Sequence, residues 1–202
     1  MTNVLSFRVE VEGLESKIWR KIEITDRRTV AELAYTILAS FDSLAYHLYN
    51  IRHNNIRYDC MIGVEEFYGK EEWVGATSCK LSDIDFSLNK KMRMEYDYGS
   101  TYYFNIEFLD SVPLRKGMGT HYPYVIDGAG RGIIDDVSCW ELEEIVNDID
   151  KKGYSDHDFT PGYERPIKYD YRNYDIKLDN SLLKGEIFYI KCNYEGIEVE
   201  YY

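Results

Sequence analysis

The chain of 202 residues is long enough to bury a hydrophobic core without disulfide or metal staples, and its composition, 45% apolar and 30% charged, is that of a globular protein. Its formal net charge of −12 opposes non-specific binding to nucleic acids and adhesion to anionic membranes, because both depend on Lys and Arg. The composition therefore favours another protein as the partner.

The N-terminus and the cysteines indicate a cytoplasmic protein. Charged residues from Arg8 onward interrupt the apolar run that a signal peptide needs, and no apolar stretch is long enough to predict a membrane span. The cysteines are widely spaced without a C-x-x-C pair, which favours reduced, mostly buried thiols over a structural zinc site. They are Cys60, Cys79, Cys139 and Cys192.

The first 60 residues contain the clearest local patterns. Two runs with strand-like patterns predict a hairpin over residues 6–25. Apolar residues at helical spacing over residues 30–41, preceded by Thr29 and Glu32 in capping-box order, predict a helix. Two short β-like runs on either side of Asn54-Asn55 predict a second hairpin.

One further hairpin is predicted in the middle of the chain. Residues 92–98 and 102–108 each place apolar side chains at every second position, and Gly99-Ser100 between them is typical of a type II′ turn. The preceding segment, residues 63–90, predicts a loop with one edge strand. The following segment, residues 112–132, is rich in Gly and Pro and predicts a long loop with a short extended piece.

A second helix is predicted before the C-terminal segment. Ser138 and Glu141 form another capping box, apolar residues follow at helical spacing to Ile149, and Gly153 marks the end of the helix.

We divide the chain into a core domain, residues 1–153, and an acidic extension, residues 154–202, which holds nine of the 20 tyrosines. The extension is too short to build its own core, so we expect it to pack on the domain. Its last part, residues 185–202, predicts a β-hairpin that turns near Glu195-Gly196.

Together these elements follow the order ββαββ-ββα-ββ. Hairpins dominate and βαβ units do not repeat, so the sequence predicts an α+β fold with a largely antiparallel or mixed sheet and two main helices on one face. The opening ββαββ segment is compatible with a β-grasp-like sheet.

Several motifs match functional sites only in part. Residues 127–132, DGAGRG, lack the third glycine of a dinucleotide fingerprint, so a flexible turn is favoured and no organic cofactor is predicted. Asp156-His157-Asp158 is typical of a solvated loop. Asp135-Asp136 suit the N-terminal dipole of the second helix. His47 begins a predicted strand, where a hydrogen-bonded structural role is common.

Short motifs nevertheless occur in a recognisable order: Trp19-Arg20, His47-Leu48, Tyr96-Asp97 with Gly99, Asp127-Gly128, and Asp135-Asp136. This order resembles the plasmid pRiA4b ORF-3-like family over about residues 4–150. The family pattern runs W-R, H-L-[YH]-x-F, Y-[DE]-[FY]-G-D-x-W-x-H and D-G-x4-P-P-E-D-x-G-G, with Asp135 as a conservative replacement for the Glu. The resemblance implies a passenger protein of insertion elements, often found beside transposases, without an established biochemical activity.

The chain departs from this pattern at several positions. Ser100 replaces the second Asp, Tyr102 the Trp and Phe104 the His, while Ile133-Ile134 and Ser138-Cys139 replace the paired prolines and glycines. If the family site is a hydrolytic or metal site built from Asp and His, this chain lacks one residue of each type.

The resemblance and the acidic composition favour a non-catalytic accessory or protein-interaction module. The alternative is a metal-dependent hydrolase or nuclease with His47 and Asp97 as candidate catalytic residues. Its Mg²⁺ or Mn²⁺ would be held by Asp97, Asp127, Asp135 or Asp136 with His47, since oxygen-rich ligation suits these ions. Direct DNA binding is a third hypothesis, which needs the 24 Lys and Arg residues to cluster on one face.

Overall fold

A single mixed β-sheet organises the computed structural model, which describes residues 1–60, 72–155 and 169–198. Its strands are β1 (Asn3–Val11), β2 (Trp19–Thr25), β3 (Tyr49–His53), β4 (Ile56–Asp59), β5 (Glu72–Gly75), β6 (Lys91–Tyr96), β7 (Tyr102–Pro113) and β8 (Tyr124–Ala129). They lie in the order β5-β4-β3-β6-β7-β1-β2-β8. All neighbouring pairs are antiparallel except β4 and β5, so the predicted α+β fold with a mixed sheet is confirmed.

Three of the neighbouring strand pairs are the predicted hairpins, β1–β2, β3–β4 and β6–β7. The turn predicted for β6–β7 is wrong, because the positive φ angles fall on Asp97 (56°) and Thr101 (52°) and not on Gly99. Strands β6 and β7 lie between β3 and β1, so the opening ββαββ segment does not form the β-grasp-like sheet by itself.

The segment DGAGRG is not the flexible turn that the sequence predicts, because its first three residues belong to β8 and pair with β2. Its later glycines allow close backbone approach. A Cβ at Gly130 would lie 2.2 Å from the Lys17 carbonyl oxygen, and one at Gly132 would lie 1.9 Å from that of Phe41. These glycines therefore serve packing.

Helices α1 (Val30–Ser40) and α2 (Cys139–Lys152) match the two predicted helices. Both begin with the predicted capping boxes, at Thr29 and Ser138, and α2 ends at Gly153 with a left-handed backbone. Helix α1 is buried along nearly its whole length, and further chain packs against it.

That further chain is helix α3 (Ile176–Glu195), so the predicted C-terminal β-hairpin is wrong over residues 185–195. The Asp175 side chain caps the start of α3 by accepting from the backbone N–H groups of Lys177 and Leu178, and Gly196 ends the helix with a φ of 63°. Helix α3 packs on α1 and β8. The described residues thus contain three main helices, one more than the sequence predicts.

The predicted solvated loop Asp156-His157-Asp158 lies outside the described residues, as do residues 61–71. Within the described ranges, none of the helices combines the length and the apolar character needed to cross a membrane.

Candidate functional site

The candidate site lies where three segments of the chain meet at one end of the sheet. His47 precedes β3 and Asp97 follows β6, and these two strands are antiparallel neighbours. The backbone N–H of Asp97 donates to the carbonyl oxygen of Leu48 at 3.0 Å, which extends the pairing to this end. Asp136 arrives from the segment that precedes α2. The fold therefore brings together residues that are far apart in the sequence.

His47, Asp97 and Asp136 form a cluster that we call the His47 cluster. The Nε2 atom of His47 lies 3.0 Å from Oδ1 of Asp136 and 3.5 Å from Oδ2 of Asp97. One ligand atom from each residue lies within 4.8 Å of the other two. The side chain of Asp97 is 7% exposed and that of Asp136 is 42% exposed, so the cluster is buried on one side and open to solvent on the other.

Each carboxylate of the His47 cluster is held through the oxygen that points away from the imidazole. Oδ1 of Asp97 accepts from the backbone N–H groups of Gly99 at 3.0 Å and Ser100 at 3.3 Å. Oδ2 of Asp136 accepts from the hydroxyl of Tyr46. The remaining oxygens are thereby oriented toward His47, as outer hydrogen bonds orient ligands in metal sites.

Asp135 lies next to the cluster but has a structural role. Its buried carboxylate accepts from the hydroxyl groups of Ser43 (3.0 Å) and Tyr96 (2.6 Å) and from the backbone N–H of Leu44 (2.7 Å). Burial, and then the charge of Asp135, raise the pKa of Tyr96, so its hydroxyl stays a hydrogen-bond donor. Asp135 therefore joins the segment before β3 to the segment before α2.

Two tyrosines that the sequence analysis does not single out support His47. Tyr46 places its ring 4.3 Å from the imidazole in addition to bonding Asp136. Tyr194 of α3 donates its hydroxyl to the carbonyl oxygen of His47 and stacks on Tyr35 of α1. The position of Tyr46 next to His47 in the sequence could have indicated its role. The contact of Tyr194 could not be read from the sequence, because it depends on how α3 packs.

Comparison with known proteins places the chain in a family. The sequence model of the plasmid pRiA4b ORF-3-like proteins matches residues 3–178. The chain belongs to the plasmid pRiA4b ORF-3-like family. The match confirms the expected family and extends past residue 150; Tyr194 lies beyond it.

A crystal structure of a protein of unknown function from Methanosarcina mazei Go1 is similar to this chain, with a TM-score of 0.69 and 20% sequence identity. The alignment covers 88% of this chain and 97% of that one, and it shows a shared fold. No curated protein matches the chain.

The family motif Trp19-Arg20 belongs to the packing of the fold. The buried Arg20 donates from Nε to the carbonyl oxygen of Ser40 at 2.8 Å, and from Nη1 to those of Ala129 at 2.9 Å and Gly130 at 2.8 Å. It therefore ties the end of α1 to the end of β8.

The family motif Asp127-Gly128 also lies outside the His47 cluster. The Asp127 side chain is exposed on β8 and accepts from the backbone N–H of Gly128 at 2.9 Å. A Cβ at Gly128 would lie 2.9 Å from the carbonyl oxygen of Trp19. Of the four candidate metal-binding aspartates, the structure thus brings Asp97 and Asp136 to His47, and leaves Asp127 and Asp135 in other roles.

The departures from the family pattern on β7 are core residues. Phe104 is fully buried and packs on Phe41 with ring centroids 5.0 Å apart. Tyr102 is also buried, and its hydroxyl donates to the carbonyl oxygen of Ile134 at 3.1 Å. Neither residue belongs to the His47 cluster, so these replacements leave its three members intact.

The donor set of the His47 cluster fits a divalent cation of the Mg²⁺ or Mn²⁺ type. Carboxylate oxygens suit both ions, and the imidazole favours Mn²⁺ of the two. Octahedral ligands at about 2.1 Å from an ion lie about 3 Å from their neighbours and about 4 Å from the opposite ligand. The 3.0 Å from His47 Nε2 to Asp136 Oδ1, which is a hydrogen bond in the ion-free protein, matches neighbouring ligands, and the 3.5 Å to Asp97 Oδ2 lies between the two values.

Exposed apolar side chains are sequence neighbours of His47 and Asp97, and we call them the apolar rim. Leu44, Tyr46 and Leu48 alternate along the segment that carries His47, and Tyr98 follows Asp97. Burial, and then the contact with Asp136, raise the pKa of Tyr46, so its hydroxyl is neutral at physiological pH. The site therefore combines a charged centre with an apolar rim.

Proposed function

We propose that this chain is a metal-dependent hydrolase that binds Mn²⁺ or Mg²⁺ through His47, Asp97 and Asp136. The convergence of three potential ligand atoms from three separate segments within 4.8 Å is the observation that supports the proposal. When bound, such an ion polarises the substrate oxygen and lowers the pKa of a coordinated water.

The residues of the His47 cluster have different roles in this proposal. Asp97 is the buried, main-chain-supported ligand, and Asp136 is the exposed ligand at the entrance. His47 lies between them and completes a set with two negative charges against the two positive charges of the ion. Tyr46 orients Asp136 by donating its hydroxyl to that carboxylate and stays neutral at physiological pH.

The surroundings of the cluster restrict the substrate class. The net charge of −12 opposes extended polyanions, so the nuclease form of the hypothesis is the less favoured one. The exposed Leu44, Leu48 and Tyr98 provide apolar contact area at the site. We therefore propose a substrate that presents its ester, amide or single phosphoester bond next to an apolar group.

Mn²⁺ titration of the purified protein by calorimetry tests the metal site. Asp97→Asn and Asp136→Asn should each weaken Mn²⁺ binding by about tenfold or more, since each removes one negative charge from the donor set. The matched control is Asp127→Asn, which removes an exposed family-motif carboxylate outside the cluster and should bind Mn²⁺ like the wild type. Absence of saturable Mn²⁺ binding by the wild type, or an equal loss in the control, would overturn the metal site.

Hydrolysis is tested on a panel of ester, amide and phosphoester substrates with and without a chelator. We expect an activity that the chelator abolishes, that Mn²⁺ restores and that Asp97→Asn lacks. Saturable Mn²⁺ binding without turnover of any such bond would contradict the hydrolase and leave only a metal-binding role.

An accessory protein that acts through protein contacts is the second candidate. The exposed apolar side chains of the rim favour it, because exposed apolar surface often marks protein interfaces. Leu48→Glu should then abolish a partner interaction that Asp136→Asn retains, as measured by co-purification at physiological salt. Loss of the interaction in neither variant would contradict this role for the rim.

A further inference from the structure

A pocket lies at α1 and α3, and no family motif residue lines it. Its volume is about 440 Å³, within the range of about 300–1,000 Å³ that is usual for small-molecule sites. Residues of both helices line it, together with Ile24 of β2, Arg28 before α1, Ile197 after α3, and Thr120, Tyr122 and Pro123 before β8.

The interior of this pocket is apolar. Ile24 is fully buried and Ile187 is partly buried against the core. Phe188 and Ile197 also line the pocket, yet they are 58% and 44% exposed. A ligand that removes such large apolar side chains from water lowers the free energy of the system, which favours binding.

The charged groups that line the pocket are mainly cationic, in contrast to the acidic protein as a whole. Arg28 and Lys191 approach the same oxygen of Glu32, Oε1, at 2.7 Å and 3.5 Å. The other oxygen of Glu32 accepts from the backbone N–H of Thr29. Two cations therefore share one carboxylate oxygen.

Lys184 adds a third positive charge to the lining. Its Nζ donates to the carbonyl oxygen of Thr120 at 2.6 Å, which is a neutral acceptor. An ammonium group has three N–H donors, so Lys184 can accept an anionic partner while it keeps this bond. The lining has three cations against one carboxylate, that of Glu32. Glu195 lies outside the lining, 3.9 Å from Lys191, and its carboxylate still leaves the cations in excess.

We propose that this pocket binds a small amphipathic carboxylate, with its apolar chain against Ile187 and Phe188 and its carboxylate at Lys184. The charge complementarity selects an anion, and the apolar interior selects an extended hydrocarbon or aromatic body. This site is independent of the His47 cluster and of the hydrolase proposal.

Decanoate is the probe, with decanol and decyltrimethylammonium as neutral and cationic comparisons of the same chain length. Calorimetry on the full-length protein should show saturable binding of one decanoate per chain, and at least about tenfold weaker binding of the other two probes. Lys184→Gln should weaken decanoate binding about tenfold and leave decanol unchanged. Phe188→Ala should weaken both, since it removes apolar contact area.

The matched control is Lys177→Gln, which makes the same charge change on the exposed first turn of α3, outside the lining. It should bind decanoate like the wild type, and circular dichroism should show all variants folded. Equal binding of decanoate and decyltrimethylammonium, or equal losses in the two lysine variants, would overturn the proposal. The proposal would also be overturned if the wild-type protein failed to bind decanoate and sedimented as a dimer. In that case a second copy of the chain would cover the pocket.

Discussion

Replacement of Arg20 by methionine should destabilise the fold strongly, although Arg20 lies in a family motif. Its guanidinium is fully buried and donates to carbonyl groups at the end of α1 and at the end of β8. Methionine has a similar length and fills much of the same volume, so the substitution mainly removes the charged donors. The loss should therefore separate the two segments that Arg20 holds together.

The magnitude follows from the contacts of Arg20. Four carbonyl oxygens, those of Trp19, Ser40, Ala129 and Gly130, lose a charged donor, at about 1–3 kcal/mol each. The guanidinium also lies 3.8 Å from the ring centroid of Tyr174, a cation–π contact that contributes up to about 2 kcal/mol when desolvated. Burial lowers the pKa of Arg20, which shows the opposing desolvation cost that methionine relieves. We expect a net loss of about 3–5 kcal/mol from a total stability of about 5–15 kcal/mol.

Urea unfolding followed by far-ultraviolet circular dichroism measures this loss. Arg172→Met is the control, since Arg172 is exposed and its contacts, with Asp170 and the carbonyl oxygen of Gly153, lie at the surface, and it should change the unfolding midpoint little. A loss below about 1 kcal/mol in Arg20→Met would refute the view that these hydrogen bonds join α1 to β8.

Three other perturbations test separate features of the structure. Tyr194→Phe keeps the stacking on Tyr35 but removes the hydroxyl that donates to the His47 carbonyl oxygen. The affinity for Mn²⁺ should therefore fall severalfold while the fold is retained. Unchanged affinity would contradict a positioning role for α3. Burial raises the pKa of Tyr98 to about 12 and above its unfolded value near 10, so the folded state keeps the phenol proton longer. The stability from this neutral phenol is present below about pH 10 and is lost as pH rises toward 12. The tyrosinate absorbance that the wild type has and Tyr98→Phe lacks should therefore appear only toward pH 12; its appearance near pH 10 in the folded protein would contradict this. Burial raises the pKa of the Cys60 thiol to about 12. Mass spectrometry should therefore find Cys60 alkylated slowly at about pH 8 in the native protein and rapidly in urea. Equal alkylation rates would contradict its burial.

Local signals in the sequence explain why most elements could be predicted. The capping boxes at Thr29 and Ser138 are contained within four residues each, and both are present in the structure. Alternation of apolar residues likewise identifies the strands of the hairpins, because each hairpin needs only neighbouring residues. The turn before β7 was mispredicted because Asp97 and Thr101, and not glycine, adopt the left-handed conformation.

Helix α3 was missed because its local composition favours a strand. The second half of α3 is rich in aromatic and β-branched residues, and Gly185 lies in the middle of the helix. Its core-facing residues nevertheless follow helical spacing, at Leu183, Ile187, Ile190 and Tyr194. Packing of this stripe on α1 and β8 outweighs the local preference.

The candidate site depends on contacts that no local pattern contains. The family resemblance singled out His47, Asp97 and Asp136 among other motif residues, but only the pairing of β3 with β6 brings His47 and Asp97 together. The separate role of Asp135 depends on the burial of its carboxylate against Ser43 and Tyr96.

The adjacent aspartates before α2 constrain how this region can vary in length. Asp135 is anchored in the interior while Asp136 reaches the surface. Deletion of one residue between Gly132 and Asp135 would move Asp136 into the buried place of Asp135 and Val137 into the place of Asp136, so the surface position beside His47 would lose its carboxylate. Homologous sequences should therefore tolerate substitutions in this stretch more readily than insertions or deletions.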